Sequence, residues 1–187
     1  MKNSIDPNLK HNLIVNLLDG SFFGMALGFA SFVTILPLFV STLTDSAILI
    51  GLIPAIHSVG WQLPQLLTAR RVAGQRQFKP MVMWMTLNER APFLGLALVA
   101  WLAPRIDTRL ALGLTFALLV WQGLGGGLTA TAWQSMIGHI IPSQWRGTFY
   151  GTQSAVANLL GSIAAISAGW ILQRYGSPND FVSLFLL

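Results

Sequence analysis

The sequence contains no cysteine. That excludes a disulfide framework, a thiolate metal centre and a thiol nucleophile. Charge is nearly as scarce: Asp, Glu, Lys and Arg make up 9% of 187 residues, whereas average usage in soluble proteins is about 25%. So little charge cannot cover a water-soluble body of this size, which sets aside a soluble enzyme and a disordered chain. The 11 basic residues outnumber six acidic ones, but they fall in short loops. That is the pattern of membrane topology and not of a phosphate-binding face, so no nucleic acid is expected as a partner. Catalytic signatures are missing as well. There is no HExxH, no GxSxG elbow and no second membrane-depth Asp, and no His/Glu spacing suits a metal. The run GLGGG at 123–127 lacks the Lys-Ser/Thr of a phosphate loop and follows no strand. Neither an enzyme nor a cofactor is expected.

What the chain does have is apolar length. Hydrophobic residues are 53% of it, with 18 Gly and seven Trp, a mixture at home in membrane helices and their interfaces. Crossing about 30 Å of hydrocarbon takes roughly 20 helical residues. Five segments reach that length, over about 13–40, 47–67, 80–102, 110–140 and 149–172. A further apolar run covers 181–187 and corresponds to part of a sixth span. The first apolar run is too long for a signal-peptide core, so it is read as a retained helix. The expected fold class is an all-α polytopic membrane bundle, forming a single unit over 1–187. Loops this short imply that consecutive helices pack as antiparallel hairpins.

Orientation follows from loop charge. The N-terminus (Lys2, Lys10), the second loop (Arg70, Arg71, Arg76, Lys79) and the fourth (Arg146) carry the larger basic share. The alternate loops hold Arg105, Arg109 and Arg174. The excess places the N-terminus in the cytoplasm, with the protein integral to a cell (inner) membrane.

Four ionisable side chains fall at membrane depth: Asp19, His57, Glu89 and Arg90. Burying such groups is costly, so each is a functional candidate by default. Glu89 and Arg90 are adjacent and about 100° apart on a helix, so each needs a partner elsewhere; Asp19 is the candidate for Arg90. A structural ion pair and a substrate- or proton-coupling role both remain open. His57 reads equally as a hydrogen-bonded packing residue or a proton relay. Asn16, Gln62, Gln65, Asn88, Gln122, Gln134 and Asn158 add uncharged polar groups, for which a polar cavity and interhelical hydrogen bonds are the alternatives. Small residues recur at helical spacing: Gly20, Gly24 and Gly28 in the first span, then Gly147, Gly151, Ala155, Asn158, Gly161, Ala165 and Gly169 along the fifth. They serve either static packing or a sliding interface.

Certain local patterns carry a resemblance. Ile141-Pro142 precedes Trp145-Arg146-Gly147 and Gly151; Gln122-Gly123 is followed by Gly125; a basic loop runs from Ala69-Arg70-Arg71 through Gly74, Arg76 and Lys79. In this order they resemble the N-terminal half of a major facilitator superfamily (MFS) transporter. The first corresponds to the turn opening the family's fifth helix, the second to its fourth-helix motif and the third to its signature loop. Gln65 and Ala69 stand where that loop has Gly and Asp. Leu119 replaces an Arg typical of proton-driven drug antiporters, and Ser162 follows Gly161 where those have Pro.

The resemblance implies a six-helix half, here ending within the sixth helix. It implies a small-solute transporter working by alternating access, which needs a C-terminal half or a second copy as partner. Asn16, Asp19, Phe23, Gln122 and Gln134 would then line the substrate path, with Glu89 and Arg90 on a supporting helix. The aromatic lining favours an amphipathic or hydrophobic solute. The alternative is a non-transporting scaffold or assembly partner, or a half-transporter acting only as a dimer.

Overall fold

The computed structural model describes residues 8–75 and 77–187. Among these there is no strand. Seven α-helices follow one another: α1 Leu9–Phe29, α2 Ile35–Ser41, α3 Ala47–Ala73, α4 Phe78–Leu102, α5 Thr108–Ile140, α6 Ser143–Arg174 and α7 Asn179–Leu186. Four of them, α1, α3, α5 and α6, are long and apolar enough to cross a membrane. The chain is therefore an all-α helical bundle with the makings of a polytopic membrane protein.

Two expected spans differ from the observed helices in detail. The segment 13–40 is not one helix, because α1 stops at Phe29 and α2 begins at Ile35. Pro37 explains the break: it donates no N–H, and its ring collides with the carbonyl four residues back, at Val33. Ser31 stabilises the interruption by accepting from the Val33 and Thr34 amides at 3.3 and 3.2 Å. The segment 80–102 is helical, as α4, but it is not among the four spanning candidates. Asn88, Glu89 and Arg90 in its middle lower its hydropathy. Pro54, Pro64 and Pro92, by contrast, are carried inside α3 and α4 without ending them. The run at 181–187 lies within the eight-residue α7.

The expected packing of consecutive helices as hairpins is also overturned. The closest crossings join α1 to α6 and α3 to α5, and among long neighbours in sequence only α4 and α5 pack extensively. Small residues decide this, because they set how near two backbones can come. On the α1–α6 crossing a Cβ at Gly28 would lie 2.5 Å from the Gly161 carbonyl oxygen, and one at Gly24 would lie 2.6 Å from Ala157 Cβ. On α5 the run 123–127 does the same for two partners at once. A Cβ at Gly127 would meet the Trp61 carbonyl of α3 at 2.5 Å, and one at Gly125 would meet the Asn88 carbonyl of α4 at 3.2 Å. Helix α5 is thus clasped by α3 and α4, and α1 with α6 forms a second unit beside them.

Apolar clusters join the units at either end. Ile137, Ile141 and Phe149 pack with Leu13 and Leu17 at one end. At the other, Phe29, Phe32, Leu36, Leu96, Leu119 and Ala164 belong to the largest cluster. Between these ends lies the polar interior.

Candidate functional site

Two cavities occupy the space between the units. One, of about 320 Å³, is lined from five helices: Asp19, Phe23 and Leu27 of α1, Trp61 of α3, Glu89 and Arg90 of α4, Thr129, Trp133 and Gln134 of α5, and Gln153 and Ser154 of α6. The other, of about 520 Å³, opens between α1, α4 and α7 and is walled mainly by Phe22, Phe93, Leu94 and Phe185. Asp19, Phe23, Leu27 and Arg90 border both.

The shared wall is an ion pair. Arg90 Nη2 donates to Asp19 Oδ1 at 3.2 Å, and both side chains are about half exposed, at 51% and 50%. Arg90 also lies over the Phe23 ring, 5.9 Å from its centroid. Asp19 is ten residues into α1, about 15 Å along the axis, near the middle of a bilayer core. The Arg90 guanidinium thus has the partner that adjacency to Glu89 could not supply.

Glu89 points elsewhere. Only 3% of it is exposed, and its Oε1 has no hydrogen-bond donor among the described residues. The space for it comes from α5: a Cβ at Gly126 would fall 3.2 Å from Oε1, and one at Gly125 3.2 Å from the Glu89 Cα. Thr129 lines the same cavity, and its hydroxyl donates to the Gly125 carbonyl at 3.0 Å.

The remaining candidates disperse. Gln122 is fully buried and lines neither cavity; its Oε1 meets His57 Nδ1 at 3.2 Å between α3 and α5. His57 in turn stacks on Phe32, with ring centroids 3.8 Å apart. Asn16 is buried behind the cavity, donating to the Asn12 carbonyl at 2.8 Å while its own carbonyl accepts from Gln153. Gln65 and Asn88 likewise bond the carbonyl one turn back, at 2.8 and 3.1 Å. Several polar side chains thus use neither a cavity nor a neighbouring helix, because their own helix offers an acceptor.

The loop residues are structural where they are described. Arg146 donates to the carbonyls of Ile141 and Gly138, closing the C-terminal end of α5. Arg70 is exposed near the end of α3, and Arg71 is in the same helix. Arg76 lies outside the described residues. Gly20, Gly24, Gly28 and Gly161 are in the α1–α6 crossing, whereas Gly147, Gly151 and Gly169 would each accept a Cβ with nothing within 4 Å. The small-residue stripe of α6 is therefore split between an inward and an outward face.

Trp61, Thr86, Trp133, Gln153 and Ser154 line the polar cavity without having been singled out by sequence. For Gln153 a signal existed, since an amide in a spanning segment needs a polar partner. Nothing in the sequence separated Trp61 and Trp133 from interfacial tryptophans. Compared with family models, curated proteins and solved structures, the chain matches none.

Proposed function

We propose that the chain is the N-terminal half of a facilitator-type secondary transporter, which moves a small solute by alternating access. A single observation supports this most: a cavity at mid-depth between two helix units, walled by an intramembrane ion pair and aromatic rings. A scaffold has no need of charged groups there, since each is costly to hold in lipid. In this reading α4 is the fifth full span, its three polar residues tolerated because two of them turn to the cavity, and α2 completes the first. The N-terminus is cytoplasmic. The outward face of α6, with Gly147, Gly151 and Ala165, meets the other half of the transporter or a second copy.

These 187 residues contain no cysteine, so thiols placed in the cavity wall are unique within them. Gln134→Cys and Ser154→Cys introduce single thiols into the cavity wall, and a membrane-impermeant maleimide is applied to right-side-out and inside-out vesicles. Alternating access is expected to give labelling from both sides. Labelling from one side only, in the protein with its full downstream sequence, would leave a static cavity and sink the transporter reading.

A further inference from the structure

We propose that the 320 Å³ cavity takes an organic monocation with a compact aromatic or apolar body, and that Glu89 is its counter-ion. The proposal rests on the reading of this cavity as the solute site and specifies the class of solute.

The first argument is charge balance. Two carboxylates and one guanidinium border the cavity, and among the described residues no other cationic one lines it. The guanidinium is committed to Asp19 at 3.2 Å. Glu89 is almost wholly enclosed, with the Thr129 side chain as a hydrogen-bonding neighbour and Oε1 still short of a donor. Arg90 acts on it from the next position but is shared with Asp19, and the other groups around it bring no cation: Gly126 and Thr129 from α5, Trp61 from α3, Asp19 from α1 and Gln153 from α6. A buried carboxylate short of donors is costly unless a cation or a proton reaches it. Glu89 borders the cavity, so a cationic solute there brings the balancing charge beside it, while Oε1 itself faces Gly126 and is closed to solvent.

The second argument is the lining. Phe23, Trp61 and Trp133 offer π faces, which attract a cation, most strongly where water is excluded. Phe23 already receives one, from Arg90 at 5.9 Å. An anion would meet two carboxylates with only a paired guanidinium to offset them. The volume is at the lower end of the range for small-molecule sites, which limits the solute to a compact one.

Calorimetric titration of the purified protein with three probes of one shape class decides the matter. These are benzyltrimethylammonium, uncharged N-benzylacetamide and the anion phenylmethanesulfonate. The expected result is binding of the cation at least about tenfold tighter than the amide, with the anion weaker still. Glu89→Gln should erase that preference. Equal or better binding of the amide or the anion to the unmodified protein overturns the proposal, as does a preference that survives in Glu89→Gln. The three-probe ranking on the unmodified protein needs no variant, so it decides even if Glu89→Gln fails to fold. Two-sided thiol labelling without cation preference would remove this inference and spare the transporter reading. Cation preference with one-sided labelling would do the reverse.

Discussion

The two faces of α1 teach opposite lessons about the same helix. On one, Gly24 and Gly28 press against Ala157 and Gly161 so closely that a single added carbon would touch backbone. On the other, Asp19 and Phe23 look into open space shared with α4. Where side chains are removed, backbones meet. Where large or charged ones are kept, the helices are held apart and a cavity remains. The difference is made by residues one to four apart, because those offsets turn a helix from one face to the other.

The comparison can be broken most severely on the packed face. Gly28→Leu should cost about 3 kcal/mol or more, since the Gly161 carbonyl and the Ala164 Cβ leave no room and backbone must move. Thermal unfolding in detergent measures this, and an unchanged midpoint would mean that α1 and α6 are not in contact. On the open face the effect should be functional. Asp19→Asn is expected to reduce uptake by the complete transporter more than tenfold. Normal uptake with normal expression would remove Asp19 from the mechanism.

Smaller effects sharpen the contrast. His57→Phe keeps an aromatic ring against Phe32 but leaves Gln122 Oε1 without its donor, at a cost of about 1–2 kcal/mol. Adding Gln122→Leu should recover most of that loss, and since neither residue borders a cavity, cation binding should not change. The smallest effect belongs to Gly51→Leu, where nothing lies within 4 Å. A shift within about 0.5 kcal/mol is expected. A large destabilisation there would reveal a partner on the outer face of α3.

Much of the helical layout was legible in the chain itself. Lengths of apolar sequence anticipated α3, α5 and α6, and the adjacency of Glu89 and Arg90 led to Asp19 as the missing partner. Gly20, Gly24 and Gly28 announced a close crossing, though not which helix would fill it. The interruption between α1 and α2 was signalled by Pro37, but Pro54, Pro64 and Pro92 carry the same signal and end nothing. Only packing distinguishes a proline that breaks a helix from one whose freed carbonyl is accommodated. The amides misled for a related reason: Gln122 and Asn16 were read toward a cavity, whereas a neighbouring ring engages the oxygen of one and the preceding turn bonds the other.

Sequence alone determined that this chain is helical, apolar and suited to a bilayer. Those properties depend on composition and on the need to satisfy every backbone group within its own segment. The tertiary structure decided which helices touch, and therefore where the charges gather. Pairing α1 with α6 and placing α5 between α3 and α4 are choices among surfaces, and surfaces far apart in the chain have no local code. The interior carboxylate of Glu89 sits where it does because Gly125 and Gly126 let α4 come that close, so the site is a consequence of packing distance.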